Sequence, residues 1–530
     1  IAIGREASRY SALSNRSIGI GYATLQVQAN SSLTDTYNIA IGHVAGSAIT
    51  TGIKNTIMGG LAGDALTTGN NNIAMGYGAL GSEDTGSRNV AIGQDALNSL
   101  NYDGNGYNVA IGHNAGAAVT TGIQNTLIGA LAGDALTTGI RNVAIGYEAL
   151  TTEDTHHYNV AIGYRSLQNQ NAGANAYNVA IGADAGRTTT TGTNNILIGG
   201  LAGDALTSGS KNVAIGHEAL STEDTGGHNV AIGHKALRVT DAGTNAYNVA
   251  VGSNAGELVS TGTENTLVGG LTGDALTTGI ENTAIGYQAL SAAQTSHANV
   301  AIGHQSLAVQ SADGYTFNTA VGYNSGQQVT SGSQQVLIGA YAGDALTTGA
   351  QNVAIGYKAL TGEDTGNKNI AIGTNALEVL NYNGDGYNVA IGHDSGKNVT
   401  TGVQNTLIGG LAGDALTTGA ENTALGYQAM TNANSSESRN VAIGAYALQG
   451  LDNGSTTNTY NVAVGYSAGI LVSTGVDNTL IGSHAGDSLT TGSYNVAIGH
   501  SALNTEDEHG KNIAIGVNAL AVQDAGVDAY

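Results

Sequence analysis

Short runs in which apolar residues alternate with polar or small ones recur along the whole chain. Residues 142–146 read Asn-Val-Ala-Ile-Gly, and close variants return about every 17 residues. Alternation with a period of two predicts a β-strand, whereas a helix would need a period of 3.6. A second short segment ending in Ala-Leu or Ala-Gly follows, and then a polar turn rich in Thr, Gly, Asp and Asn. We therefore predict one coil of strand and turn per repeat.

The closing glycine of each repeat sets a register along the chain. Between Gly112 and Gly182 its spacings are 17, 17, 17 and 19 residues, so four rungs make a superperiod of 70 residues. Repeats of this kind stack, because one unit cannot bury its own apolar face. We predict an all-β fold, a parallel β-solenoid of about 30 rungs that is continuous over residues 1–530. Irregular turns are expected at 431–439 and 450–460, where the spacing stretches.

The alternation also assigns side chains to faces. We expect Val143 and Ile145 to join a thin aliphatic core, and the opposite face to be small enough for a second chain to approach. That opposite face carries Ala144, Ala161, Ala214 and Ala231. Asn stands four residues before the glycine in every readable rung except those of Ser17 and Gln335. Stacked Asn side chains predict a hydrogen-bonded ladder, and stacked rungs predict a rod about 140 Å long.

Composition and charge limit the kinds of core and of partner that the chain can have. The chain has 81 Gly, one Phe and no Pro, Cys or Trp, so aromatic anchors cannot supply its core. With 39 acidic against 16 basic side chains the net charge is −23, which argues against nucleic acid and anionic bilayers as partners. No apolar run approaches the roughly 18 residues of a membrane span, so we expect no membrane insertion in this segment. The chain begins inside a repeat, and we expect it to be part of a longer polypeptide.

The repeat resembles that of a known group of fibrous proteins. The block Asn-Val-Ala-Ile-Gly, at residues 89–93 and 229–233, resembles the head repeat of YadA-like trimeric autotransporter adhesins. The longer phrases at 265–279 and 352–360 resemble more closely the repeat arrays of bacteriophage tail fibres. The resemblance implies a left-handed parallel β-roll, of which three copies form a homotrimeric fibre. The rung is longer than the adhesin unit, and these residues contain no collar, stalk or membrane anchor, which favours a tail fibre.

We therefore expect a structural protein and not an enzyme. The expected role is the trimeric shaft of a phage tail fibre, extracellular on the virion, with receptor or glycan recognition outside these residues. The alternatives are a bacterial trimeric surface adhesin, which would carry a C-terminal membrane barrel, and a self-polymerising extracellular filament, which would show end-to-end joints. No catalytic, cofactor-binding or metal-binding residues are predicted, because carboxylates that repeat along a rod lack the concave site that catalysis needs.

Three sets of residues have the chemistry of a site, and for each we favour a structural role. Histidines after the motif glycine are expected to pack, since no second metal ligand follows at His-x-x-x-His spacing: His43, His113, His217, His234, His304, His393 and His500. Acidic pairs in the third rung are expected to be solvated: Glu83-Asp84, Glu153-Asp154, Glu223-Asp224, Glu363-Asp364 and Glu506-Asp507. Tyrosines of the fourth turn are expected to pack across it, with a carbohydrate stripe as the alternative: Tyr107, Tyr177, Tyr247 and Tyr387.

Two kinds of turn match calcium motifs incompletely. Residues 59–66 follow the nonapeptide calcium repeat with its second glycine displaced, and only once per superperiod. Residues 101–106 and 381–386 match half of an EF-hand loop, but Gly112 and Gly392 stand where a bidentate Glu is required. We interpret both as plain turns and keep calcium binding as the alternative.

Overall fold

The fold is seen in a computed structural model, which describes residues 1–522 apart from 153, 174, 434, 435, 453 and 455–457. The chain divides into two compact units, Ile1–Glu264 and Asn265–Tyr530. In the described residues each unit is built from short strands and turns without a helix, and each is a parallel β-solenoid. It follows that the described part of the chain has no helix of the length and apolarity of a membrane span.

Most strands are only three residues long. In the first unit they are β1 (Ala2–Ile3), β2 (Ala12–Asn15), β3 (Ile18–Ile20), β4 (Ala29–Asp35), β5 (Ile39–Ile41), β6 (Thr56–Met58), β7 (Ile73–Met75), β8 (Val90–Ile92), β9 (Val109–Ile111), β10 (Thr126–Ile128), β11 (Val143–Ile145), β12 (Val160–Ile162), β13 (Val179–Ile181), β14 (Ile196–Ile198), β15 (Val213–Ile215), β16 (Val230–Ile232) and β17 (Val249–Val251).

The second unit repeats this arrangement. Its strands are β18 (Thr266–Val268), β19 (Thr283–Ile285), β20 (Ser296–His297), β21 (Val300–Ile302), β22 (Gly314–Tyr315), β23 (Thr319–Val321), β24 (Val336–Ile338), β25 (Val353–Ile355), β26 (Ile370–Ile372), β27 (Val389–Ile391), β28 (Thr406–Ile408), β29 (Thr423–Leu425), β30 (Val441–Ile443), β31 (Val462–Val464), β32 (Thr479–Ile481), β33 (Val496–Ile498) and β34 (Ile513–Ile515).

Neighbouring rungs pair in parallel, with equivalent repeat positions side by side. Val143 of β11 lies beside Val160 of β12, and Ala144 lies beside Ala161. The main sheet of the first unit joins β1, β3 and β5 to β17 in chain order, and that of the second joins β18, β19, β21 and β23 to β34. Two minor pairs, β2 with β4 and β20 with β22, lie outside these sheets. The predicted solenoid and its register are therefore confirmed.

The two faces of the strand are the reverse of those expected. The central alanines Ala144, Ala161, Ala214 and Ala231 are all 0% exposed. Val143 and Ile145, by contrast, are only partly buried and lie on the outer face of the strand. The prediction that Val and Ile fill the core and that Ala contacts another chain is wrong. The coil is narrow, so a small side chain fits at the strand centre wherever a larger one occupies the corner.

Core volume is divided differently between successive rungs. The second rung of a superperiod has Leu127 at the strand centre and Gly133 at the corner, whereas the third has Ala144 and Leu150. A Cβ atom added to Gly133 would lie 2.8 Å from Leu127 Cδ2, well inside the distance at which carbon atoms pack. In these rungs a large side chain therefore occupies the centre or the corner, but not both.

The asparagine ladder is confirmed, with a bonding pattern that uses the backbone. The backbone N–H of Asn142 donates to Oδ1 of Asn125 at 2.9 Å, and its Nδ2 donates to the carbonyl of His156 at 2.8 Å. One amide thus links a rung to its neighbour and closes its own turn, which gives partners to polar groups inside the coil. Gln335 keeps the ladder, since its Oε1 accepts from the N–H of Asn352 at 3.2 Å.

The corners of the coil use the left-handed region of backbone space. Gly146 has φ of 138°, and a Cβ there would strike the carbonyl of Gly163 on the next rung, so only glycine fits. Leu150 also has positive φ, at 56°, which is uncommon for a residue with a side chain. Its N–H donates to the carbonyl of Ser166 on the next rung at 3.0 Å. Bonds between rungs therefore hold these corners in place.

The two irregular turns lie on successive rungs and pair with each other. Ser438 forms a parallel bridge with Asn458, and Arg439 donates to the hydroxyl of Tyr460 at 2.8 Å. Residues 434, 435, 453 and 455–457 of these turns lie outside the described residues. The flanking strands β29, β30 and β31 still pair in register, so the added length leaves the stack of strands intact.

Candidate functional site

The outer side of the strands forms an apolar surface, here called the apolar strand face. It consists of the first and third residues of the main-sheet strands. From β5 to β34 the third residue is Ile, Val, Leu or Met, and the first is Val or Ile except in eight strands that begin with Thr. Exposure is 40% for Ile196 and 42% for Leu425, and it rises to 68% for Ile513 in the last strand. Extended apolar surfaces of this kind mark sites of interaction with other molecules. The apolar strand face is therefore the leading candidate for a protein contact.

The prediction that the acidic pairs of the third rung are solvated is wrong for their glutamates, whereas their aspartates are partly exposed. Their glutamates are 0% exposed at Glu83, Glu223, Glu363 and Glu506, while Glu153 lies outside the described residues. Oε1 of Glu83 accepts the N–H of Gly86 at 2.6 Å, so the carboxylate caps its own turn. Burial raises the pKa of Glu83, Glu223 and Glu363. The position faces inward because it is equivalent to a core leucine such as Leu136 in the rung before.

The histidines after the motif glycine stack on rings of neighbouring rungs. His43 lies 5.2 Å from Tyr22, and His217 lies 5.8 Å from His234, as measured between ring centroids. His393 instead lies 3.3 Å from Asp394. The packing role is confirmed where ring contacts are present, at His43, His217, His234, His304 and His500.

Two longer runs of rings in the second unit are here called the aromatic ladders. The first is formed by Tyr287, His304, Tyr323, Tyr341 and Tyr357, and the second by Tyr427, Tyr446, Tyr466, His484 and His500. Neighbouring centroids lie 5.0–6.2 Å apart on successive rungs. Every contact of the second ladder is edge-to-face. In such contacts the edge of one ring meets the face of the next, so the ring faces do not lie flat on one another.

Neutral amides run beside the first rungs of the first aromatic ladder, whereas its last ring, Tyr357, lies under the ammonium group of Lys358 at 5.7 Å. Gln305 Nε2 donates to Gln288 Oε1 at 2.9 Å, and Gln327 Nε2 donates to Gln305 Oε1 at 3.0 Å. In the first unit the stacked pair Tyr147 and Tyr164 is flanked by charged residues instead. Aromatic faces beside uncharged donors and acceptors suit a neutral ligand with both apolar and hydroxyl surfaces.

The fourth-turn tyrosines pack against the equivalent position one rung earlier. Tyr177 stacks on Tyr158 with ring centroids 4.9 Å apart, and Tyr247 lies 4.9 Å from His228. Tyr107 and Tyr387 lie under the cationic groups of Arg88 and Lys368 at 5.4 and 5.0 Å. Packing is confirmed, but it runs along the stack to the rung before and not across the turn as predicted, and about half of each ring is exposed: Tyr107, Tyr177, Tyr247 and Tyr387.

The turns that match calcium motifs use their carboxylates in other ways. Asp64, in residues 59–66, faces a shallow cavity of about 290 Å³ together with Asp95. Asp103 Oδ1 accepts from the hydroxyl of Thr85 at 2.6 Å, and Asp385 forms an ion pair with Lys368 at 2.6 Å. Across the described residues, groups of three acidic or histidine ligands occur elsewhere: Glu223, Asp224 and Asp241, and Glu506, Asp507 and His509.

Sequence reasoning missed Asp241, His509, Tyr341 and the apolar strand face. A signal was present for Asp241, because Asn101 and Asn381 occupy the equivalent position in sister turns. Tyr341 stands one residue later in its rung than the other rings of the first aromatic ladder, which hid it from a search by fixed position.

Comparison with known proteins identifies no relative of the chain. No protein-family model, curated protein or solved structure matches the chain. The functional argument therefore rests on the geometry of the solenoid and its surfaces.

Proposed function

We propose that the chain is the shaft of a homotrimeric fibre that acts outside the cell, as part of a phage tail fibre, without catalysis. The observation that supports this is the apolar strand face, which recurs on every rung of the main sheets. A second copy of the chain is the partner that suits it best. Copies share one rung spacing, so their Val and Ile ridges stay in step, whereas an unrelated partner would fall out of register.

The contact between copies uses Val and Ile rather than the buried alanines. No charged residue occupies the apolar strand face from β5 to β34, although each chain carries a net charge of −23. Charges therefore lie elsewhere on the surface, where solvent and salt screen the repulsion between copies. The number of copies, three, comes from the resemblance to YadA-like repeats.

Light scattering of the purified chain tests this proposal. We expect the wild type to have the mass of a trimer, and the variant Val160→Lys with Ile162→Lys to be dissociated because it places two charges in the contact. The matched control is Thr222→Lys, at an exposed turn position of the same unit, which should stay trimeric. A folded monomeric wild type would overturn the trimer. Electron microscopy of rods joined end to end without limit would favour the filament over the tail fibre.

The aromatic ladders favour a second candidate, a bacterial surface adhesin that binds glycans along its length. Neutral glutamines directly follow two rings of the first ladder, Gln288 after Tyr287 and Gln305 after His304, and Tyr341 meets both of its neighbouring rings edge-to-face. A glycan array probed with the intact chain should then detect neutral oligosaccharides. Binding should be lost in Tyr341→Ala and kept in Tyr147→Ala, whose ring has charged neighbours. An array without hits would remove this candidate and leave the shaft.

A further inference from the structure

One group of carboxylates departs from the repeat. Glu223 and Asp224 lie in the turn of one rung and Asp241 in the turn of the next. One carboxylate oxygen from each residue lies within 4.8 Å of the other two. Three negative charges at this separation repel one another unless a proton or a cation is shared among them. The group is therefore a place where the chain requires a positive partner.

Glu223 brings a buried oxygen to this group. Its side chain is 0% exposed, and its Oε1 accepts the N–H of Gly226 at 2.7 Å. Its Oε2 is buried and has no hydrogen bond of normal geometry, and the backbone N–H of Ala242 is a weak donor to the carboxylate, at the position that Tyr102 and Tyr382 occupy in sister turns. Buried polar atoms in folded proteins nearly always have a partner. This oxygen is therefore available to an ion held by the two aspartates.

Sister turns show what makes this group different. The pairs Glu83-Asp84 and Glu363-Asp364 have the same buried glutamate, but Asn101 and Asn381 stand where Asp241 does. In those turns Oε2 of the glutamate is bonded, since it accepts the N–H of Tyr102 or Tyr382 at 3.3 Å. The third carboxylate therefore sets this turn apart from these two sisters, and it occurs together with an unbonded Oε2. Oε2 of Glu506 is also unbonded, but the turn beside it lies at 523–530, outside the described residues.

We propose that Glu223, Asp224 and Asp241 bind one divalent cation of the oxygen-preferring class, represented by calcium. An all-carboxylate set suits calcium, which takes about 6–8 oxygen ligands, better than zinc, which favours nitrogen and sulfur. Water and backbone carbonyls supply the remaining ligands. Because the ligands come from two successive turns, the ion ties one rung to the next.

Asp241 is the residue to change, because its sisters show that Asn is compatible with the fold. Isothermal titration of the full chain with CaCl₂, after EDTA dialysis, measures the number of ions bound. We expect Asp241→Asn to lose one equivalent relative to wild type. The matched control, Asp84→Asn, changes a carboxylate in a sister turn that lacks the third ligand, and should bind as many ions as wild type. The quantity to compare is the difference in bound calcium between wild type and variant, because Glu506, Asp507 and His509 form a separate group that could bind an ion in both proteins.

Thermal unfolding supplies the second measurement. In EDTA, Asp241→Asn should melt no lower than wild type, because it removes repulsion among the three carboxylates. On addition of calcium the melting temperature of the wild type should rise, as for any ligand that binds only the folded state, and that of the variant should rise less. Equal calcium stoichiometry in wild type and Asp241→Asn, or no saturable uptake by the wild type, would overturn the site.

Discussion

The second and third rungs of a superperiod follow the same path but fill it differently. The inward positions are Leu197, Gly203 and Leu206 in the second rung, and Ala214, Leu220 and Glu223 in the third. Both rungs keep the strand, the motif glycine and the asparagine link. Backbone hydrogen bonds and glycines thus set the path of the chain. The interior accepts large side chains at different positions, and it even accepts a carboxylate that is hydrogen-bonded to its own turn. Changes that exchange features between these rungs test this view.

The largest effect is expected from removing the central leucine of the second rung. Leu197→Ala gives the strand centre the alanine of the third rung but leaves Gly203 at the corner, so a cavity remains. Leu-to-Ala changes in cores cost about 2–5 kcal/mol. Urea unfolding followed by circular dichroism measures the loss, and hydrogen exchange should locate it at residues 195–209. Thr222→Ala, at an exposed position, is the control, and an equal cost for both would contradict the volume argument.

A smaller loss of stability is expected from placing a large side chain at the corner, and a second substitution should restore most of it. Gly203→Leu places a side chain where a Cβ would already lie 2.8 Å from Leu197 Cδ2, and such overpacking costs about 1–3 kcal/mol. The positive φ is not the obstacle, because Leu220 adopts φ of 51° at the equivalent corner.

The double variant Leu197→Ala with Gly203→Leu should recover much of either loss. It recreates the arrangement of Ala91, Leu97 and Leu100, which the chain already uses in another rung. A double-mutant cycle in urea measures this coupling. Additive losses would show that the two positions do not share one volume.

The sequence predicts the repeat, the register and the asparagine ladder, because each follows from periodicity. It does not say which strand face is inside, because alternation defines two faces and Val143 is a more usual core residue than Ala144. The corner leucines determine that the alanine face is inside, because they already fill the coil and leave room for only a small side chain at the strand centre. The buried glutamates were missed for a related reason. Glu223 looks like a turn residue in isolation, and only its equivalence to Leu206 places it inside.

The buried glutamate should give the third rung a pH dependence that the second lacks. Burial raises the pKa of Glu223 above the ordinary value of 4.5, so the folded state binds its proton more tightly than the unfolded state. The stability it contributes is present below that value and is lost as pH rises through the raised pKa. In EDTA, Glu223→Ala should cost about 1 kcal/mol at acid pH, through the lost bond to Gly226, and less at higher pH.

Thermal melts of wild type and Glu223→Ala, from below pH 4.5 to above the raised pKa of Glu223, measure how the stability difference between them depends on pH. The chain itself contains the substitution, since Ala293 and Ala433 occupy the equivalent position and are 0% exposed. Ala293→Ser, which introduces no titrating group, should leave the pH dependence of wild type unchanged. A difference between wild type and Glu223→Ala that is constant with pH would show that the carboxyl does not titrate in the folded state.

The smallest change in stability is expected from a substitution that gives an outer position of the third rung the residue found in the second. Glu218 and Leu201 are equivalent, both partly exposed and both with positive φ, at 56° and 58°. Glu218 lies 3.9 Å from Lys235, and ion pairs at such exposed positions contribute about 0–1 kcal/mol. Glu218→Leu should therefore change the urea midpoint little, far less than Leu197→Ala. A loss as large as that of the core variant would mean that outer residues also specify the path of the rung, and the interior alone would no longer explain why rungs differ.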